Sequence, residues 1–312
     1  SGGVVDVYKR PQATPAICRW KCHSYYQPQP WLCCTLRVLV LSPGSLEEQL
    51  DRLPALASIS NQLSASIQVA CNPAAKAVWE LLPSLEKVLP FSFETSPNLA
   101  DWTNLLGSAR EPDFQVCINF AEGREVNLML SMSHIPTRVG RSGFSCTDRV
   151  EVGSGWTAQR LAPFLTPLGC VLDADQYRLT LTSDEMNETR SQQPEGDGPL
   201  LLLAAGGGEP EWPPTSWKSL PHTIKSRLPE LRTVHIAPAL PLRKKAAAIA
   251  CADVVLSSCR MTQRLAVYNG IPLVALGATP DDLPDRNEIR CLGDDDNLAS
   301  LSEHDVLNAL GF

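Results

Sequence analysis

The residues able to do chemistry in this chain are few, and most sit beside turns. Gly206, Gly207 and Gly208 follow the apolar run Leu200 to Ala205. A strand ending in glycines can aim backbone N–H groups at a phosphate, although glycines also simply make turns. Arg243, Lys244 and Lys245 form the densest cationic run. It reads as the solvated start of a helix, with a phosphate clamp as the alternative. Ser45 stands just before Glu47 and Glu48, a pattern of N-cap followed by first-turn acids that the helix dipole favours. Cys18, Cys22, His23, Cys33 and Cys34 are metal-binding residue types, but their spacing fits no standard zinc site and no metal is assigned. After residue 35 the histidines (His134, His222, His235 and His304) lie far apart in sequence. No G-x-S-x-G, H-E-x-x-H or G-x-x-x-x-G-K-[ST] occurs, so serine and metal hydrolases have little support.

The elements that would position these residues alternate regularly. Leu36 to Leu41 predicts a buried parallel strand, ended by Ser42-Pro-Gly44, and Leu46 to Gln62 a helix with Leu46, Leu50, Leu53 and Leu56 on one face. Strands are expected at Ser66–Ala70, Lys87–Phe91, Phe114–Ile118 and Thr137–Gly140. Helices are expected at Ala74–Leu82, Leu99–Ala109, Arg124–Ser133 and Trp156–Leu168. A second unit predicts strands at Leu200–Ala205, Thr233–Ile236, Val254–Leu256 and Pro272–Leu276, and helices at Ser216–Leu228, Leu242–Ala252, Met261–Asn269 and Ser302–Leu310. This alternation means βαβ units and parallel, doubly wound sheets. Residues 183–198 are polar and rich in breakers, and read as a linker. The expected division is an extension at 1–35, an N-terminal Rossmann-like domain at 36–182, the linker, and a C-terminal Rossmann-like domain at 199–312.

The extension holds Pro11, Pro15, Pro28 and Pro30 and a single acid, Asp6, with no sustained period. It reads as disordered or non-native, either a transit-peptide remnant or translated adaptor sequence around Asp6 to Arg10. The chain has 312 residues, 44% hydrophobic and 20% charged, enough for two ordinary cores. Its net charge of −7 argues against a nucleic-acid partner. No apolar run approaches the length of a transmembrane helix, about 20 residues. Eleven cysteines in irregular positions fit a reducing compartment better than a disulfide framework. The expected location is cytoplasmic, or the plastid stroma in a eukaryote, with peripheral membrane association left open.

Three segments, taken together, resemble family 9 glycosyltransferases, the group of the ADP-heptose:lipopolysaccharide heptosyltransferases, and particularly its cyanobacterial form. The first is Arg37-Val-Leu-Val-Leu-Ser-Pro-Gly-Ser-Leu-Glu-Glu-Gln-Leu-Asp-Arg-Leu-Pro-Ala-Leu56, similar to the family's strand, small-residue turn, Gly-Asp and Leu-Pro-x-Leu. The second is His134-Ile-Pro-Thr-Arg-Val-Gly140. The third runs from Lys244 to Thr279 and includes Ala246-Ala-Ala-Ile-Ala-Cys-Ala-Asp-Val-Val-Leu256 and Gly270-Ile-Pro-Leu-Val-Ala-Leu-Gly-Ala-Thr279. The resemblance covers residues 36 to 292. It implies a GT-B fold, two Rossmann-like domains facing across a cleft, and an inverting, metal-independent sugar transfer from a nucleotide sugar to a lipopolysaccharide-type or other glycan acceptor, with no cofactor.

By the same resemblance Glu48 stands at the catalytic base, one methylene longer than the family's Asp, and Glu47 replaces a Gly. Ser45 and Arg138 fall on the acceptor side. Gly206, Gly207, Gly208 and Thr279 fall on the nucleotide-sugar side. The family's Asp-Ser/Thr-Gly-x-x-His reads Cys259-Arg260-Met261-Thr262-Gln263-Arg264 here, which leaves Arg260 and Arg264 as substitute phosphate partners. Pro210 stands where the family often has a Lys. These departures frame two expectations: a working glycosyltransferase, its activity weakened at the donor site, or a catalytically inactive scaffold or binding subunit with protein partners.

Overall fold

The computed structural model describes residues 35–208, 211–237, 239–294 and 298–312. Apart from Thr35, the extension expected at 1–35 lies outside the described residues, together with Cys18, Cys22, His23, Cys33 and Cys34.

The first half of the chain builds a parallel six-stranded sheet in the order β3-β2-β1-β4-β5-β6. Its elements are β1 (Arg37–Ser42), α1 (Leu46–Leu63), β2 (Ser66–Cys71), α2 (Lys76–Trp79), β3 (Leu85–Pro90), α3 (Leu99–Arg110), β4 (Val116–Asn119), α4 (Arg124–Met132), β5 (Thr137–Gly140) and β6 (Asp148–Arg149). The second half begins with α5 (Ser183–Ser191). It continues through β7 (Leu200–Ala204), α6 (Pro214–Arg227), β8 (Arg232–His235), α7 (Leu242–Ala250), β9 (Val254–Ser257), α8 (Arg260–Asn269), β10 (Leu273–Leu276), β11 (Ile289–Leu292) and α9 (Glu303–Leu310). Its five-stranded sheet has the order β11-β10-β9-β7-β8.

Val38 to Leu41 of β1 and all of β7 are apolar, as suits strands whose sheets are covered by helices on both faces. Val38 and Val40 of β1 enter one buried cluster, and Leu39 and Leu41 enter another on the opposite face. Leu200 and Leu202 of β7 join the same cluster as Val38 and Val40, so one apolar core runs through both halves. Each buried Leu or Val contributes about 1.5–3 kcal/mol.

The join between the halves has a specific cause in α1. Pro54 has no N–H, so the carbonyl of Leu50, four residues earlier, loses its helical partner. The Tyr268 hydroxyl of α8 donates to that carbonyl at 3.1 Å. Beside it, the Arg264 guanidinium donates to both carboxylate oxygens of Asp51, at 2.8 and 3.1 Å. Their side chains are 4% and 7% exposed. Burial pushes the Asp51 carboxyl above its ordinary value, while Arg264 pulls it back. A buried pair of this kind adds little net stability, but removing either partner alone strands a charge.

Three predicted elements differ. The helix expected over Trp156–Leu168 is instead two 3-10 segments, Gln159–Phe164 and Thr166–Leu168. Pro163 and Pro167 remove the amides a continuous α-helix would need. The helix expected over Ala74–Leu82 narrows to a 3-10 turn at Pro73–Ala75 and α2. The stretch 183–198, read as a linker, folds into α5 over Ser183–Ser191, with Thr182 and Glu185 closing a capping box. Arg243 of α7 binds Glu185, with one contact at 3.1 Å, and Lys244 binds Glu188 at 3.0 Å. Lys245 is buried. The cationic run therefore docks α5 on α7, and its first two charges are satisfied within the protein.

Candidate functional site

In a doubly wound sheet the ligand crevice forms outside the carboxyl ends of the strands, where the strand order reverses. The first sheet reverses between β1 and β4, the second between β7 and β9.

At the first switch point the turn after β1, Pro43-Gly44-Ser45, is held from below. The amide of Gln49, fully buried, donates to the carbonyls of Ser42 and Pro43 at 2.9 and 3.0 Å. Its oxygen accepts from the Ser42 hydroxyl at 2.6 Å and from the Trp79 indole at 3.0 Å. Arg52 donates to the Ser42 hydroxyl at 2.7 Å and to the Pro43 carbonyl, and lies 4.7 Å over the Phe120 ring. Burial lowers its pKa to about 10, leaving it charged at neutral pH. Above this base opens a cleft of about 600 Å³ whose lining includes Gly44, Glu48, Asp51, Arg52, Glu94 and Phe120. Its far wall comes from the 3-10 segment that replaced the expected helix, through Arg160, Leu161 and Phe164.

Glu48 lies in this cleft with one task already assigned. Its carboxylate accepts from the Ser45 backbone N–H at 2.8 Å, and the Ser45 hydroxyl accepts from the Glu48 N–H at 3.3 Å, a complete capping box. Glu94 accepts from the Gly44 N–H at 2.7 Å. Glu47 is a further acid in the first turn. Arg138, on the acceptor side by resemblance, donates to the carbonyls of Ile135 and Ser145, and so shapes the loop after β5.

At the second switch point the turn after β7 meets the turn after β9. Gly206 and Gly207 donate their backbone N–H groups to one carboxylate oxygen of Glu211, at 2.8 and 3.1 Å, and the Ser258 hydroxyl donates to the same oxygen at 2.9 Å. The other Glu211 oxygen accepts from the Trp212 N–H at 2.9 Å. Gly207 has φ +73°, the left-handed region, and a Cβ on Gly206 would sit 3.1 Å from the Ser258 carbonyl oxygen. Successive N–H groups converging in this way form an oxyanion cradle.

The remaining predicted donor residues are paired within the protein. Arg264 does not reach a cleft surface, because Asp51 takes its guanidinium across the domain join. Arg260, at the start of α8, binds Asp282 at 3.2 Å. Thr279 donates its hydroxyl and its N–H to the same Asp282 carboxylate, at 2.8 and 3.0 Å. The backbone carbonyl of Asp282 accepts from Thr157, a residue of the first cleft, at 3.1 Å. Gly208 is exposed and Pro210 lies outside the described residues. Glu48 is thus the only member of the predicted set in the lining of the described cleft, while Gly206 and Gly207 form a separate cradle. Sequence reading missed Asp51, Arg52, Glu94, Glu211 and Asp282. Glu211 had a usable signal, an acid a few residues beyond a glycine turn. Asp51 had none, since its partner is more than two hundred residues away. Among the described residues no group of His, Cys, Asp and Glu is placed to hold a metal ion, and no helix is long and apolar enough to cross a membrane.

Two parallel sheets with their own helices, joined at α1 and α8, make this a GT-B fold. It is similar to a glycosyl transferase family 9 structure from Veillonella parvula, with a TM-score of 0.68 at 16% identity, covering 88% of this chain and 96% of that one. It is also similar to E. coli ADP-heptose lipopolysaccharide heptosyltransferase II, with a TM-score of 0.67 at 16% identity, covering 88% and 98%. E. coli heptosyltransferase WaaC, solved with ADP-2-deoxy-2-fluoro heptose, gives a TM-score of 0.65 at 14% identity, covering 88% and 99%. No protein-family model matches the sequence, and no curated protein matches it. At these identities the likeness is one of fold.

Proposed function

We propose that the chain is a glycosyltransferase of the family 9 type, using a nucleotide sugar as donor and a glycan, of the lipopolysaccharide class or another, as acceptor. The observation that carries this reading is the oxyanion cradle at the β7/β9 switch point. Two backbone N–H groups and a hydroxyl converge there on one negatively charged oxygen, the chemistry a donor diphosphate requires. The cleft at the other switch point, lined by acids and arginines alike, supplies the acceptor side. Glu48 is the base of this reading: one oxygen caps α1, and the second remains to accept the proton of the attacking hydroxyl. Sugar transfer from a nucleotide sugar needs no resident cofactor, since the leaving diphosphate can be stabilised by N–H donors alone. The likeness to solved heptosyltransferases supports a heptose-type donor as the first sugar to test. Titration of the wild-type protein with ADP tests the reading: saturable binding at or below millimolar ligand is expected, and none at that concentration would overturn it.

A second reading, a non-catalytic GT-B scaffold, is favoured by one specific observation. Glu211 fills the cradle, and Arg260 and Arg264 are each paired with a carboxylate of the protein. Sugar transfer above background from a panel of nucleotide sugars would exclude it.

A further inference from the structure

Resting on the donor-site reading above, we propose that Glu211 is an internal stand-in for the donor phosphate, and that an anionic ligand enters this site by displacing it.

The argument begins with the chemistry of the acceptor atom. A carboxylate oxygen and a phosphate oxygen ask for the same partners, N–H and O–H donors converging within about 3 Å. Glu211 Oε2 has three such partners in two different loops: the N–H of Gly206, shared with the Ser258 hydroxyl oxygen at 2.8 Å, the N–H of Gly207 and the Ser258 hydroxyl. A surface glutamate in a helix or turn ordinarily meets water or a single cation, so this convergence is a property of the cradle. The cradle is also built to exclude side chains of its own: Gly207 is left-handed, and the Gly206 Cα faces the Ser258 carbonyl and Glu211 itself. Glu211 is held so that it can leave. It is half-buried, and among the described residues its second oxygen is bonded locally, to the next residue's N–H. Trp212, which follows, is fully buried, and its indole donates to the Leu301 carbonyl at 2.9 Å, so the backbone stays fixed while the carboxylate swings.

The consequence is competition. A carboxylate tethered four or five residues from the N–H groups acts at an effective concentration of millimolar or more, which a free anion must exceed. Donor affinity is therefore lowered in the wild-type protein, and the cradle is protected from dilute phosphate.

The experiment compares wild type, Glu211→Ala and Glu211→Gln by following the amide NMR signals of Gly206 and Gly207 during titration with inorganic pyrophosphate, and separately with ADP. Glu211→Ala is expected to respond to pyrophosphate at about tenfold lower concentration than wild type. Glu211→Gln, which keeps the side chain's size and removes its charge, is expected to show the same direction of change. Equal midpoints in all three proteins, or no response in any, would overturn the proposal. ADP separates it from the broader reading. If Glu211→Ala gains for pyrophosphate but holds ADP no more tightly than pyrophosphate, the displaced carboxylate stands and the nucleotide-sugar reading falls.

Discussion

At Glu48 a single side chain serves the fold and the cleft together. The oxygen that accepts from Ser45 N–H closes the capping box of α1, so the carboxylate is held at the mouth of the first cleft by the helix it caps. Glu48→Gln retains an acceptor for that cap and removes a base. Expected is a loss of transfer of about a hundredfold or more, the usual contribution of a general base, with a thermal midpoint close to wild type. Unchanged transfer would remove Glu48 from the mechanism. At Arg264 the reverse holds, because this arginine is spent on structure. Replacing Arg264 by Ala leaves the Asp51 charge buried without a partner, expected to cost about 3–5 kcal/mol in urea unfolding. The double replacement Asp51→Leu with Arg264→Met should recover most of that loss, whereas a direct phosphate partner would show its deficit in ADP binding, unrescued.

Among the elements, α5 shows how a polar stretch acquires structure. Thr182 and Glu185 cap it, and Arg243 of α7 takes the Glu185 carboxylate. Hydrogen bonding from Arg243 lowers the Glu185 pKa from its ordinary 4.5 to about 2. A depressed carboxyl contributes stability that is fully present above the unfolded value, and it is lost as the pH falls toward the folded one. Wild type is therefore expected to lose more of its thermal midpoint than Glu185→Gln between pH 4.5 and about 2, and to match it in slope above pH 5. Equal slopes throughout would mean the contact does not couple α5 to the fold. In α1, Pro54 leaves the Leu50 carbonyl to Tyr268. Tyr268→Phe abandons a buried acceptor and is expected to cost about 1–3 kcal/mol in denaturant unfolding.

For the whole molecule these contacts decide how the two halves move. One apolar core passes through α1 and α8, and beside it sit the Asp51–Arg264 pair and the Tyr268 bond. A large apolar join opposes free domain rotation. The two sides of the join, α1 and α8, are expected to loosen together as one local unit. Hydrogen exchange of Arg264→Ala should rise in α1 and α8 together, with α3 and α9 unchanged. An increase confined to α8 would show that the halves open independently.

The sequence by itself determined the architecture. Apolar runs such as Val38 to Leu41 and Leu200 to Ala205, spaced by helical periods, point to a parallel sheet covered on both faces. It also determined local chemistry: Ser45 as N-cap ahead of the acids Glu47 and Glu48, and glycines after β7 that had to make a turn. Only the tertiary structure decided which charges remain available to a ligand. The partner of Arg264 is Asp51, that of Arg243 is Glu185, and that of Arg260 is Asp282. The prolines at 163 and 167 were visible, yet their helical surroundings hid their effect until the segment was seen packed along the cleft. Secondary structure follows from neighbours within a few residues, so its signal is local. A charge takes the nearest opposite charge in space, and which residues are near in space is settled only once the two sheets have closed on their common core.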